Sequence, residues 1–279
     1  NKVGRVTPTG GFTEFSIPTP GSQPHAITTG PDGNLWFTET GANKIGRVTP
    51  TGGFTEFSIP TSGSQPHTIT TGADGNLWFT EAGASRIAKL TPTGSFTEFF
   101  IPTTSDEAPV RWPSPQGIIA GPDGNLWFTE RICNKIWTVT PAGSFTGFSV
   151  PTANSQPLAI TAGPDGRLWF TEVESLQIGA VTLAGSFTEF PIPTHRQPMT
   201  ITAGPDGNLW FTEFFRAAEK IGTVTPTGSL TEVSIPTSNG VAHGIATGPD
   251  GNVWFTEAGA GRIGRVNLSY PTSRSRAVE

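Results

Sequence analysis

The chain of 279 residues contains one cysteine, Cys133, and only 14% of its residues are charged. A single cysteine excludes an internal disulfide bond and a cysteine-rich metal site. The net charge is −5 and lysine and arginine form no cluster, so we expect no nucleic-acid partner. No apolar run approaches the about 18 residues of a membrane-spanning helix, and no leader peptide is visible. We therefore expect a soluble protein, cytoplasmic or secreted, with no membrane partner.

Helix signals and the common catalytic motifs are also absent. No window longer than about ten residues keeps a 3.6-residue period, and proline interrupts every candidate helix. The chain has no G-x-S-x-G elbow, no H-E-x-x-H, no P-loop and no G-x-G-x-x-G that opens a helix. Gly (35) and Pro (26) are abundant, and eight Trp and 19 Phe can fill a core. This composition is typical of many short strands joined by tight turns.

An internal repeat dominates the sequence. The segment GPDGNLWFTE, or a near copy, recurs every 41 to 49 residues. Its aspartates are Asp32, Asp74, Asp123, Asp165, Asp206 and Asp250. A second segment, KIGRVTPTGGFTEFSIPT or a variant, follows each copy and also opens the chain. A repeat of this length indicates a solenoid, a propeller or another repeat array.

Each repeat divides into four strand-sized pieces. In the first complete repeat these are residues 25–30, 35–39, 45–49 and 54–59. The Asp-Gly pair between the first two pieces allows the positive φ angles of a tight hairpin. Four antiparallel strands per repeat, arranged radially, are a propeller blade, so the sequence predicts an all-β fold, a β-propeller of four-stranded antiparallel blades.

Counting the strand types predicts six blades, with seven as the alternative. The first, second and fourth types occur six times each, whereas the third occurs seven times. Six blades close into a ring if both termini contribute strands to one composite blade. One third-type strand, at residues 2–6 or 262–266, is then surplus; it frays, pairs with a second molecule, or marks a trimmed seventh blade. We expect one propeller domain over residues 1–279, with a flexible tail at residues 269–279.

A glutamate closes each copy of WFTE. These residues are Glu39, Glu81, Glu130, Glu172, Glu213 and Glu257. A feature present in every blade most simply serves the fold, so we expect these carboxylates to accept backbone N–H groups or to pair with basic residues such as Lys44 and Arg86. The alternative is a metal-binding array on one face.

Loops that break the repeat are the candidates for ligand binding. The turns on one rim of the propeller hardly vary, whereas the connections on the other rim differ in length and chemistry. The longest, at residues 103–116, carries Asp106, Glu107, Arg111 and Trp112. Variable loops on a rigid scaffold commonly carry function, so we expect a small-molecule or peptide ligand at this rim.

One position at the start of the first strand also varies between repeats. It is occupied in turn by His25, His67, Gln116, Leu158, Met199 and His243. In a closed ring of six blades, the three histidines lie on consecutive blades beside the central channel. Converging imidazoles can act as general bases or metal ligands. The alternative is that the ancestral repeat carried PHAIT and that drift removed the histidine elsewhere.

The segments KIGRVTPTG-x-FTEF-x-IPT and QPHAIT-x-GPDGNLWFTE resemble the virginiamycin B lyase family, also called streptogramin lyases, over nearly the whole chain. WFTE followed by NKIGR is a distinctive marker of that family, and the chain is more loosely similar to NHL-type propellers. The resemblance implies a propeller, seven-bladed in family members, that uses magnesium to open cyclic depsipeptide antibiotics. The family reaction is an elimination, in which a base removes the proton beside the ester oxygen and the carboxylate leaves without water.

The resemblance also assigns residues. His243, in Val-Ala-His-Gly-Ile, is the best match to the family's catalytic histidine. Val241 stands where the family has a metal-binding glutamate, and Met199 stands where it has a second histidine. Glu257 corresponds to a further metal ligand.

Other alignments of the family motif restore both histidines but not the acid. Placing it on His25 and His67 puts Gln65 at the acid position, and placing it on His243 and His25 puts Gln23 there. The missing acid and the near identity of the blades favour a binding or structural scaffold with an incomplete lyase site. The alternative function is a magnesium-dependent carbon–oxygen lyase in which His243 or His67 is the base.

Overall fold

The computed structural model describes residues 1–102, 112–214 and 220–268, and all regular structure in these ranges is β-strand. Within them no helix is long and apolar enough to cross a membrane. The chain divides into two compact units, Asn1–Ser149 and Val150–Glu279. The loop residues Asp106, Glu107 and Arg111 and the tail at 269–279 lie outside the described residues. Trp112 lies inside them, and its side chain is 71% exposed.

The first unit contains strands β1 to β14. They are β1 (Lys2–Val6), β2 (Phe12–Ser16), β3 (Pro24–Thr29), β4 (Leu35–Glu39), β5 (Lys44–Val48), β6 (Phe54–Ser58), β7 (Pro66–Thr71), β8 (Leu77–Glu81), β9 (Arg86–Leu90), β10 (Phe96–Phe100), β11 (Pro115–Ala120), β12 (Leu126–Glu130), β13 (Lys135–Val139) and β14 (Phe145–Ser149).

The second unit contains strands β15 to β25. They are β15 (Pro157–Ala162), β16 (Leu168–Glu172), β17 (Gln177–Val181), β18 (Phe187–Pro191), β19 (Gln197–Ala203), β20 (Leu209–Phe214), β21 (Lys220–Val224), β22 (Leu230–Ser234), β23 (Ala242–Thr247), β24 (Val253–Glu257) and β25 (Arg262–Val266).

The strands pair as consecutive antiparallel neighbours. Sheets β3–β6, β7–β10 and β11–β14 of the first unit are four-stranded, as are β15–β18 and β19–β22 of the second. Strands β1 and β2 form a two-stranded sheet, and β23 to β25 form a three-stranded one. The fold is that of an all-β, six-bladed β-propeller of antiparallel blades, so the predicted fold class is confirmed.

The strands near the two termini form two separate sheets. The predicted composite blade needs β25 as the partner of β2, but β1 already occupies that edge, with Val3 opposite Phe15. The pairing of the described strands therefore leaves two terminal sheets instead of one hydrogen-bonded composite sheet. Neither third-type strand is frayed, because β1 pairs with β2 and β25 pairs with β24, each along its whole length.

The second strand of each blade forms the core because both of its faces are covered. In β8 every residue from Leu77 to Glu81 is buried, which explains its run of apolar side chains. Between neighbouring sheets of the first unit, Trp36 packs with Ile69, Leu77 and Phe79. Burying a side chain of this size contributes about 1.5–3 kcal/mol, so the sheet faces are the main source of stability.

The tryptophan of each WFTE segment also anchors the preceding turn. Trp36 Nε1 donates to Asp32 Oδ1 at 2.9 Å, and Trp78 Nε1 donates to Asp74 Oδ1 at 3.0 Å. Gly33, with φ of +74°, makes the tight turn that the Asp-Gly pair predicts. The turn aspartate therefore satisfies a polar atom that the core would otherwise leave buried without a partner.

We expect Asp74→Ala to destabilise the protein by about 1–3 kcal/mol, because it leaves the buried indole N–H of Trp78 without its acceptor. Asp74→Asn is the matched control, because its amide oxygen can still accept from the indole. Urea unfolding measures both variants. Equal stability of the alanine and asparagine variants would contradict this role of the turn.

Candidate functional site

The position that carries the three histidines lies in a β-bulge. In the pairing of β3 with β4 the register shifts between Pro24 and Ile27, which places His25 in the bulge. The same shift places His67 in a bulge of β7 and His243 in a bulge of β23. A bulge bends the strand and re-aims its side chains, and bulges are common beside functional sites.

A threonine hydroxyl stabilises each bulge. Thr38, in the WFTE segment of β4, accepts the backbone N–H of Ala26 at 3.1 Å and donates to the carbonyl oxygen of His67 at 2.8 Å. Thr212 likewise donates to the carbonyl oxygen of His243 at 3.0 Å. The hydroxyl replaces the backbone bonds that the bulge removes and ties one blade to the next. The sequence analysis did not identify these threonines, although they recur in every copy of WFTE.

The structure brings His25 and His67 together. Their ring centroids are 3.9 Å apart and their ring planes are inclined by 37°. His25 is exposed and His67 is partly buried. The sequence predicted that the first-strand histidines converge, and within the first unit two of them are in contact. Gln116 of β11 is buried, and its amide nitrogen donates to Ser114 Oγ at 2.9 Å.

His243 lies in the second unit and is exposed at the start of β23. Two residues before it, Val241 has φ of +51°, in the left-handed region that β-branched residues strongly disfavour. Gln23, Gln65 and Gln156 occupy the corresponding positions of other sheets with φ of 46°, 47° and 53°. Four of the six bulges are thus preceded by a left-handed residue, and valine is less suited to that conformation than glutamine is.

The glutamates of WFTE do not share one role. Glu130 accepts backbone N–H groups of Ser114 at 2.7 Å and Cys133 at 2.6 Å, as predicted. For Glu39 and Glu81 the prediction is wrong, because no N–H or O–H donor reaches either carboxylate.

The basic residues beside these glutamates pair with other acids. Lys44 Nζ lies 3.0 Å from Glu56 Oε2, and Arg86 Nη1 lies 3.1 Å from Glu98 Oε2. A buried carboxylate without a hydrogen-bond donor lowers the stability of the folded state. The stability of this protein therefore depends on the protonation state of Glu39 and Glu81.

Four sheets contain a pair of neighbouring acids. Burial, followed by the charge of Glu56, raises the pKa of Glu39 to about 7, and burial followed by Glu98 raises the pKa of Glu81 to about 8. Burial alone would also raise the pKa of Glu56, but hydrogen bonds from Thr19 and Lys44 outweigh it and lower the pKa. Two neighbouring carboxyl groups repel each other when both are charged, so the buried glutamate of the second strand holds its proton more tightly than an exposed glutamate does.

A small residue on the third strand makes room for the acid pair. Gly46 lies opposite Glu56, and a Cβ there would clash with the Phe37 ring and lie 2.7 Å from Glu39 Oε1, so the glycine makes room for both side chains. The β11–β14 sheet differs, because Trp137 lies opposite Gly147 and no glutamate is present on the fourth strand. The sequence itself shows this difference between the sheets. The fourth-strand segment FTEF occurs with glycine or alanine on the third strand, whereas FTGF occurs with tryptophan there.

Glu257, the residue that the resemblance assigns as a metal ligand, is 4% exposed and lies opposite Ala242 in the β23–β24 ladder. It is buried like the other glutamates of the repeat, and its Oε2 atom has no hydrogen-bond donor. Among the described residues, no group of three or more His, Cys, Asp or Glu side chains is arranged to hold a metal ion.

Comparisons with known proteins agree with this architecture. The sequence model of the Virginiamycin B lyase family matches residues 1–111 and 111–272. A search of curated protein sequences finds no significant match. A solved streptogramin B lyase is 38% identical, with a TM-score of 0.85, and the match covers 95% of this chain and 84% of that one.

Virginiamycin B lyase from Staphylococcus aureus is 36% identical in two solved structures, one of the selenomethionine protein and one of a catalytically inactive histidine-to-alanine variant with Quinupristin. Each has a TM-score of 0.86, and the match covers 96% of this chain and 86% of that one.

The raised pKa values of the buried glutamates predict that stability falls as pH rises. Glu39, Glu172 and Glu213 have pKa values of about 7 and Glu81 of about 8, against 4.5 in an unfolded chain. The folded state therefore binds these protons more tightly than the unfolded state. Their contribution is complete below pH 4.5 and is lost as pH rises through 7 to 8. Urea unfolding should give a lower free energy of unfolding at about pH 9 than at about pH 5.

Glu81→Gln should reduce this dependence on pH, because the amide cannot ionise. The matched control is Glu14→Gln, which alters an exposed carboxylate paired with Lys2 at the surface. We expect the control to keep the wild-type pH dependence, because solvent screens its charge. A slope that is the same in Glu81→Gln as in wild type would contradict the role given to the buried acid.

Proposed function

The chain belongs to the virginiamycin B lyase family, and from that premise we propose that it is a binding or structural scaffold with an incomplete lyase site. The observation that carries the proposal is that residue 241 is a valine. It stands two residues before His243, where the family resemblance requires a metal-binding glutamate, and its side chain has no oxygen to offer.

The donor set around His243 does not fit a magnesium ion. Magnesium prefers carboxylate, carbonyl and water oxygens in octahedral geometry. Val241 and Met199 provide a hydrocarbon and a thioether where the resemblance implies a carboxylate and an imidazole. Glu257 is the remaining acid of the implied set, and it is buried in the β23–β24 ladder like its counterparts in the other sheets.

A scaffold role also agrees with the uniformity of the blades. The same tryptophan, threonine and glutamate recur in each WFTE segment. The tryptophan anchors the turn, the threonine stabilises the bulge, and the glutamate is buried in the core. A ligand is best placed at the loop of residues 103–116, where Trp112 exposes 71% of its side chain. An exposed indole is a favourable contact surface for a small molecule or a peptide.

The alternative function is the family's carbon–oxygen lyase activity on cyclic depsipeptide antibiotics. Two observations favour it: His243 is retained, and it is exposed on a bulge stabilised by Thr212. The solved relative with a histidine replaced by alanine is catalytically inactive, which indicates that one imidazole is essential in that protein. In this chain His243 would be the base that removes the proton beside the ester oxygen, after which the carbon–oxygen bond breaks and the carboxylate leaves.

Incubation with Quinupristin and magnesium distinguishes the two functions. A scaffold leaves the antibiotic unchanged in retention time and mass, even at high protein concentration. A product of unchanged mass but altered retention, absent with His243→Ala or with a chelator, would establish elimination and reject the scaffold proposal. A product heavier by one water molecule would indicate hydrolysis and would reject both functions.

Restoring a carboxylate at position 241 tests the alignment of His243 with the family's catalytic histidine. Val241→Glu, alone or with Met199→His, should increase magnesium affinity measured by calorimetry, because it adds the carboxylate that the site lacks. Val241→Gln is the matched control: it adds the same length without charge and should raise only the melting temperature, because glutamine replaces a β-branched residue in the left-handed region. Magnesium affinity that is equal in the two variants would reject the alignment of His243 with the family histidine.

A further inference from the structure

The His25–His67 pair lies on two adjacent first strands of the same unit and does not depend on His243. The ring centroids are 3.9 Å apart with the ring planes tilted by 37°, and each ring is carried by a β-bulge at the start of its strand. Bringing two imidazoles this close disfavours charging both of them, because like charges at this distance repel each other. Neutral imidazole is the form that binds metal ions.

The hydrogen bond of His25 determines which of its nitrogens carries the proton. Its Nδ1 atom lies 3.2 Å from the carbonyl oxygen of His67. A carbonyl oxygen can only accept, so Nδ1 must be the N–H, and Nε2 carries the lone pair in the neutral ring. A ring N–H donated to a backbone carbonyl is the usual support for a metal-binding histidine, because it fixes the ring and raises the basicity of the other nitrogen.

One hydroxyl group orders both bulges. Thr38 accepts from the backbone N–H that follows His25 and donates to the carbonyl oxygen of His67. That carbonyl oxygen is the one that accepts from the His25 ring. The second ring is also supported, because His67 Nδ1 lies 3.2 Å from Thr68 Oγ1. The two imidazoles are therefore held by the backbone of adjacent blades, which lowers the entropic cost of binding an ion.

We propose that His25 and His67 form a two-histidine site for a late first-row divalent metal ion such as Zn²⁺ or Cu²⁺, with water molecules as the remaining ligands. Imidazole nitrogen suits these ions, whereas magnesium selects oxygen ligands. Zinc binds imidazole at about 2.0–2.1 Å, so two rings whose centroids are 3.9 Å apart are close enough to bind a single ion.

Calorimetry with ZnCl₂ on the untagged full chain tests the site. We expect one equivalent to bind, and His25→Ala or His67→Ala to weaken binding by at least about tenfold, because either change removes half of the protein ligands. His195→Asn is the matched control: it removes a histidine outside the pair at φ of +51°, a conformation that asparagine tolerates. An excess of MgCl₂ should not displace the zinc.

A spectroscopic measurement keeps the proposal testable if a variant fails to fold. Electron paramagnetic resonance of wild-type protein with one equivalent of Cu²⁺ should show coupling to nitrogens from two imidazoles. A spectrum from one imidazole, zinc affinity unchanged in both alanine variants, or a loss of affinity in His195→Asn alone would overturn the site. Displacement of zinc by magnesium would also overturn it, because that is the behaviour of an oxygen-ligand site.

Discussion

The hydrogen bond from a buried tryptophan to the aspartate of the preceding turn is the interaction on which the blades depend. The tryptophan of the WFTE segment fills the space between sheets, and leaving its buried indole N–H without an acceptor would be costly. Asp32 or its equivalent supplies that acceptor from the hairpin turn, with distances of 2.9–3.1 Å across the six copies. Packing and turn geometry are thus coupled, and the GPDGNLWF segment must recur as a unit.

The same strand then positions the candidate site. Two residues beyond the tryptophan, the threonine hydroxyl holds the bulge of its own blade and the carbonyl oxygen of the next blade. The first-strand side chains are therefore presented by the scaffold itself and not by a flexible loop. A change from histidine to leucine or methionine at this position alters the chemistry without altering the backbone that carries it.

The sequence was sufficient for the fold class because its signals are local and repeated: Asp-Gly turns, period-two strands and proline between them. It predicted the approach of His25 and His67 from their equivalent positions in adjacent repeats. It did not predict the partners of Glu39 and Glu81, because those depend on which side chains meet across three strands. Lys44 and Arg86 were the expected partners by proximity in sequence, yet both, on the third strand, pair with acids on the adjacent fourth strand instead. The pairing of β1 with β2 likewise depends on competition for one strand edge, which a count of strand types does not reveal.

Differences between the blades indicate which positions the fold constrains and which it leaves open. Where Trp137 replaces the small third-strand residue, Gly147 replaces the fourth-strand acid and Glu130 turns to backbone N–H groups, so three changes compensate one another within one sheet. At Val241 no such compensation occurs: the left-handed backbone carries a β-branched residue, whereas Gln23, Gln65 and Gln156 stand at the corresponding positions of other sheets. Glutamine would suit this backbone better and glutamate would supply a ligand oxygen, so neither backbone geometry nor metal binding explains valine there. The lack of a ligand oxygen at this position is the ground on which the scaffold role is proposed.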